Sequence, residues 1–323
     1  MFRTAESVSP FHPDKICDRI SDEILDACLL QDPNSRCAVE VMGGHGIVQV
    51  MGEVTTNAYV DIPAIVGRVA GKVGCNVNLV KQSNDIAKGV DIGGAGDQGI
   101  MVGYACDENE AMIPHELYLA RSLCKYLFFR NPQDGKTQVT TNNGIPITIV
   151  ASWANTEKAV LLQLVQAWLT ELKMWPSNIQ LLINPAGDWY TSGFEADTGL
   201  TGRKLCVDNY GPRIPLGGGA FSGKDGTKVD RSGAYKARQV AVQILKSRHA
   251  KECLVYLAYA IGEPKPVQMT CVVDGQEILM QEIIPDEFCP QNIIEDLKLR
   301  SPCFAEAATW GHFGNGFLWD GIK

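Results

Sequence analysis

The chain has 323 residues, of which 45 % are apolar, 20 % charged and 8 % aromatic, with a formal net charge of −8. That length holds a sizeable core in about two or three domains, and the composition excludes a disordered chain. The acidic balance excludes general affinity for a nucleic-acid backbone, and no apolar run reaches membrane-spanning length. Thirty-two glycines exceed the usual share of about 7 % and follow no period, so they mark tight turns or close backbone approaches. Eleven cysteines, odd in number and without a C-x-x-C pair, read as small buried hydrophobes of a reducing compartment. The opening Met-Phe-Arg-Thr-Ala-Glu-Ser has no signal-peptide character, and a cytoplasmic protein is expected.

Taken in chain order, Pro13–Gln31 is a predicted helix: Ile16, Ile20, Ile24 and Cys28 recur every four residues, Pro13 suits the first turn, and Asp32-Pro33-Asn34 ends it. Cys37–Met42 and Ile47–Val54 form a predicted hairpin around a four-residue Gly43–Gly46 loop. That pairing sets Glu40 opposite Gln49 and puts Glu53 on the same face. Predicted strands follow at Thr137–Thr141, Ile145–Ala151 and Gln180–Asn184, with a helix at Thr156–Leu172. Ser232–Ser247 is helical, and Cys253–Gly262 and Val267–Val273 are strands. Hairpins between helices indicate an α+β fold rather than regular βαβ alternation.

Three places have the chemistry of a phosphate site. Gly94-Ala-Gly96-Asp97-Gln98-Gly99 matches G-x-G-x-x-G, but no good strand precedes it, so it reads as a tight loop. Gly218–Lys224 resembles a P-loop, yet Asp225 stands where the magnesium-binding Ser or Thr belongs. Its chemistry survives that rejection: Lys224, Lys228 and Arg231, with Asp225 and Asp230, lie just before a helix N-terminus, where an anion is favoured. The third, His12-Pro13-Asp14-Lys15, sets a proton donor, a carboxylate and an ammonium at another helix start.

These blocks carry a resemblance. Glu6-Ser-Val-Ser-Pro-Phe-His12-Pro-Asp14-Lys15, Gly52-Glu53-Val-Thr-Thr, Gln82-Ser-Asn-Asp85 and Gly94-Ala-Gly-Asp97-Gln-Gly99 are similar to motifs of the S-adenosylmethionine synthetases. Asp197-Thr-Gly-Leu-Thr-Gly-Arg203-Lys204, the run Gly217–Ser232, Tyr259-Ala-Ile-Gly262 and Gly311-His-Phe-Gly314 continue the match in order, nearly to the C-terminus.

The resemblance implies three similar α+β subdomains, each a mostly antiparallel sheet covered by helices, in pseudo-threefold arrangement and interleaved in sequence. The sequence regions expected are 1–92, 93–192 and 193–323. It implies synthesis of S-adenosylmethionine from ATP and methionine, with triphosphate released and cleaved. His12, Lys136, Arg203 and Lys224 are the implied catalytic residues. Asp134, Trp189, Asp197 and Lys204 join them around ATP. Glu53, Gln82, Asp97 and Lys228 are implied for methionine, Asp14 and Asp230 for Mg²⁺, and Glu40 for K⁺. The implied partner is a second copy, in a homodimer with sites at its interface. The chain departs from the family at Phe11, which replaces a glycine, and at Pro132-Gln-Asp134-Gly-Lys136, which lacks an arginine. The connections 71–82, 89–94 and 103–134 are compressed, the second being the loop that gates the site in the family. A P-loop-like ATPase and a non-catalytic binding subunit are the competing readings.

Overall fold

A computed structural model describes residues 1–82, 93–175, 178–278 and 285–321. Among these residues the strands form three four-stranded sheets. In chain order the elements are β1 (Phe2–Val8), α1 (Pro13–Gln31), β2 (Arg36–Gly44), β3 (Ile47–Thr55), α2 (Ile62–Ala70), β4 (Gly74–Val80) and β5 (Gly99–Cys106). Next come α3 (His115–Arg130), β6 (Gly135–Asn142), β7 (Ile145–Trp153), α4 (Lys158–Glu171), β8 (Gln180–Ile183), β9 (Gly199–Leu200) and α5 (Leu205–Asp208). The chain closes with α6 (Val229–Arg248), β10 (Glu252–Tyr259), β11 (Gln268–Val273), β12 (Gln276–Ile278), α7 (Pro290–Asp296) and α8 (Phe304–Thr309).

One plan recurs three times: a strand, a long helix, then a hairpin. The units are β1–α1–β2–β3, β5–α3–β6–β7 and β9–α6–β10–β11. In none of them does the first strand pair with its own hairpin. β1 lies antiparallel on β6, β5 on β10, and β9 on β2, so each unit lends a strand to the next around a closed cycle. The three similar α+β subdomains are therefore tied by backbone hydrogen bonds as well as by packing. In the first two units a helical crossover, α2 or α4, returns the chain to a parallel fourth strand, as parallel pairing requires.

Each long helix covers a sheet with its apolar stripe. α1 buries Ile16, Ile20, Ile24 and Cys28, the spacing read from the sequence. A second core, with Leu123, Leu127, Ile149, Trp153 and Trp168, lies between α3, α4 and the β1–β6–β7–β8 sheet. The β2–β3 connection corrects the expected register. His45 and Gly46, both with positive φ, make a two-residue turn, and Glu40 faces Met51 rather than Gln49. Gly43 and Gly44 belong to the strand. They are needed there because a Cβ would run into the Phe194 ring at 2.4 Å or into Thr198 at 2.7 Å. The slip is two residues, so Glu40 and Glu53 still share a face.

Candidate active site

The start of α1 builds the first half of the site. His12 is the N-cap, and its Nδ1 accepts a hydrogen bond from the Asp14 N–H at 3.1 Å. That bond assigns the imidazole proton to Nε2. Burial, with Lys204 and Lys136 nearby, pushes the His12 pKa down to about 3, so the ring is a neutral donor at physiological pH. Asp14 is buried and accepts from the Leu200 N–H at 2.9 Å and from Lys204 Nζ at 2.6 Å, with Arg203 Nε at 3.3 Å. Burial works to raise its carboxyl, but the Lys204 and Leu200 donors, with His12 nearby, hold it below its ordinary value. Asp134, also buried, accepts the Gly193 N–H at 3.0 Å, and burial raises its carboxyl. Asp197, exposed, accepts the amide of its own neighbour Thr198. Lys136, at the start of β6, and Asp197 are felt electrostatically by both His12 and Asp134. A cavity of about 560 Å³ adjoins this group, lined among others by Phe11, Asp134, Tyr190, Gly193 and Phe194.

The second half lies where the run of glycines enters α6. Lys224 Nζ donates to Asp230 at 2.6 Å across the turn that opens the helix. The glycines allow the approach, since a Cβ on Gly219 would sit 2.2 Å from the Asp230 carboxylate. Glu40 looks onto this turn from β2. Desolvation raises its carboxyl, Lys224 opposes that, and Asp18 and Glu53 add to it. Among the described residues no three His, Cys, Asp or Glu side chains converge as a ready-made metal cage.

His12, Asp14, Asp134, Lys136, Asp197, Arg203 and Lys204 thus form one group, and Lys224, Asp230, Glu40 and Glu53 another. Other expectations fare differently. Arg231 is not part of the anion cradle: it is fully buried, in a two-point pair with Asp22. Lys15 faces inward between Asp18 at 2.9 Å and Asp208 at 2.6 Å, which overcome its burial and hold its ammonium above the ordinary value. Lys228 is paired with Asp225 at 2.5 Å. Trp189 is half-buried, with its carbonyl on the Asn155 N–H. Asp97 is exposed and accepts the Gln98 N–H. Gln82 has its side-chain carbonyl buried without a hydrogen-bond partner among the described residues. Ser83 to Asp85 and residues 89–92 of the compressed loop lie outside the described residues. The motifs leave out Asp18 and Asp22, although both follow Asp14 at successive intervals of four in the chain.

The comparisons with known proteins follow the same outline. Residues 1–90 match the S-adenosylmethionine synthetase N-terminal domain, residues 92–189 the central domain and residues 191–321 the C-terminal domain. An S-adenosylmethionine synthase of Desulforudis audaxviator (strain MP104C) is 42 % identical, the match covering 98 % of this chain and 93 % of that protein. One of Petrotoga mobilis (strain DSM 10674 / SJ95) is 40 % identical, covering 97 % and 94 %. The first alignment runs over 371 positions against a chain of 323, so that relative carries segments this chain lacks. With all three domains matched in order across nearly its whole length, the chain belongs to the S-adenosylmethionine synthetase family.

Proposed function

We propose that this protein makes S-adenosylmethionine from ATP and L-methionine. The methionine sulfur attacks C5′ of ATP, the C5′–O bond breaks, and the released triphosphate is hydrolysed to pyrophosphate and phosphate. The observation that carries the reading is the neutral, Nε2-protonated His12 set beside Lys204 and Lys136, with Arg203 on the adjoining Asp14. A thioether sulfur needs no general base. The barrier is the negative charge that develops on the departing oxygen, and preorganised donors lower it. His12 Nε2–H would donate to that oxygen. Lys136, Arg203, Lys204 and Lys224 would spread the triphosphate charge, and Asp134, Asp197 and Trp189 would border the nucleoside. The cavity beside Phe11 supplies room on that side. Glu53, Gln82, Asp97 and Lys228 would hold methionine. The buried Gln82 carbonyl, without a partner among the described residues, suits its ammonium group.

Mg²⁺ is the divalent ion expected. It is commonly held by one or two carboxylates plus phosphate oxygens and water, and Asp14 and Asp230 offer such hard oxygens beside the two lysine-rich cradles. When bound it would neutralise phosphate charge. Glu40, crowded by Asp18 and Glu53, is the carboxylate best placed to gain from K⁺. The outer face of the β4–β3–β2–β9 sheet exposes Met42, Ile47, Met51, Val80 and Leu200 beside Glu40 and Glu53. A second copy of the chain on that face would bury the apolar residues and bring its own half-sites alongside. Eleven free cysteines fit a cytoplasmic setting.

Incubation with ATP, methionine, Mg²⁺ and K⁺ followed by mass spectrometry tests the reading. S-adenosylmethionine with pyrophosphate and phosphate is the expected result. ADP made without methionine, or no turnover at all, overturns it.

A further inference from the structure

α1 carries four aspartates at strict intervals of four: Asp14, Asp18, Asp22 and Asp26. Such spacing stacks side chains on one face, about 6 Å apart along the axis. Each of them accepts backbone amides from a distant segment. Asp14 takes the Leu200 N–H at 2.9 Å and Asp18 the Gly202 N–H at 2.8 Å. Asp22 takes the Gly223 N–H at 2.8 Å, and Asp26 takes those of Cys303, Phe304 and Ala305 at the start of α8.

The middle two rungs act on the loops that carry the phosphate-binding lysines. Gly202 immediately precedes Arg203 and Lys204, and Gly223 immediately precedes Lys224. Both glycines have positive φ, at +78° and +81°. A Cβ on Gly202 would come within 2.5 Å of Ala220 in the other loop, and one on Gly223 within 1.9 Å of the Val39 carbonyl. The two loops therefore touch each other and leave no room to relax. Asp22 grips its loop twice. Its partner Arg231, fully buried, also donates to the Lys224 carbonyl at 2.9 Å. Asp18 is anchored by Lys15, which Asp208 braces from the far side.

We propose that Asp18 and Asp22 are positioning residues of the transferase: through the Gly202 and Gly223 amides, α1 sets the spacing between the Lys204 and Lys224 cradles. Both aspartates are fully buried, out of reach of a ligand in the cradles. Each acts through the backbone of the loop it holds, so the two lysines meet the triphosphate at a distance set by one helical turn. The inference rests on the reading above that Lys204 and Lys224 bind polyphosphate.

Asp18→Asn is the direct test, because Lys15 keeps Asp208 as its counterion and the fold has a brace left. Asp26→Asn is the control: it sits on the same stripe and also holds amides, but its loop carries no lysine assigned to substrate. A loop displaced by about 1 Å costs up to about a hundredfold in rate, so Asp18→Asn is expected to lower kcat by about tenfold or more. Inhibition by added tripolyphosphate is expected to weaken in parallel, while methionine KM stays within about twofold. Asp26→Asn is expected to keep the wild-type kcat. If both variants fold and share one kcat, the proposal is overturned.

Amide hydrogen exchange of the unliganded wild-type protein, read by mass spectrometry, tests the same point without any substitution. Segments containing Gly202 and Gly223 are expected to be as protected as α1 itself. Exchange at the rate of an open loop overturns the proposal. A wild-type protein that makes no S-adenosylmethionine would refute the functional reading, whereas the exchange result would stand on its own.

Discussion

Asp14 and Lys204 lie 190 residues apart in the chain and 2.6 Å apart in the fold. The contact joins the first turn of α1 to the loop after β9 and gives Asp14 a cation that a bound triphosphate would compete for. Removing the ammonium in Lys204→Met is expected to lower kcat/KM for ATP by about 10²–10³-fold, the range of a lost charge-stabilising donor. Steady-state kinetics with methionine saturating check this, and an unchanged value removes Lys204 from the site.

Lys224 and Asp230 make the matching pair in the second cradle, also at 2.6 Å. Both side chains are partly open to solvent, so either change spares the core. Lys224→Ala and Asp230→Asn are each expected to abolish most turnover, by about 10²-fold or more, with far-UV circular dichroism unchanged. A folded variant with wild-type turnover rules out that residue's role.

The neutral state of His12 has its own signature. Burial, Lys204 and Lys136 hold its pKa to about 3, well below the ordinary 6.5. The ring therefore stays uncharged as pH falls from 8 to 5. Its NMR resonances are expected not to titrate in that window, and kcat is expected to show no His12 step there. A midpoint near 6.5 contradicts the buried donor geometry. His12→Gln, which loses the ring, is expected to cost about 10²-fold in kcat.

Gly223 is a test of backbone necessity. Its φ is +81°, and an added Cβ would meet the Val39 carbonyl at 1.9 Å, an atom that cannot swing away. Gly223→Ala is expected to destabilise the fold by about 1–3 kcal/mol, as positive-φ strain does, with further loss from the clash. Urea denaturation measures it, and a change under about 0.5 kcal/mol, the size of an ordinary surface substitution, contradicts the close approach.

The exposed face of the β4–β3–β2–β9 sheet carries Met42 at 55 %, Ile47 at 50 % and Met51 at 48 % exposure. Burying such a patch against a second copy contributes about 25 cal/mol per Å² of apolar surface. Met51→Glu is expected to shift the assembly toward monomer in sedimentation and to reduce turnover with it. A wild-type protein that sediments as a monomer and remains active contradicts the shared-site arrangement.

Periodicity and chemistry made much of this legible beforehand. The ends of α1 were readable because Pro13 and the isoleucine stripe are local signals, and the close backbone approach at Gly217–Gly223 was readable because consecutive glycines have little other use. The β2–β3 register was not. Gly43 and Gly44 look like loop residues until Phe194 and Thr198, some 150 residues on, are found packed against them. Arg231 misled for the same reason: a basic residue at a helix start suits an anion, unless an aspartate from another helix reaches it first.

The sequence by itself determined the family and the α+β class, and it supplied the residue types of the proposed polyphosphate site, since these depend on local pattern and ordered motifs. Only the tertiary structure decided which charges stay partly open to solvent and which face inward. Lys15 and Arg231 are as basic as Lys204 and Lys224, but Asp18, Asp22 and Asp208 hold them in the core. The sorting follows from electrostatics at short range, where a buried cation persists only beside its counterion, and which carboxylate arrives is settled by how distant segments pack.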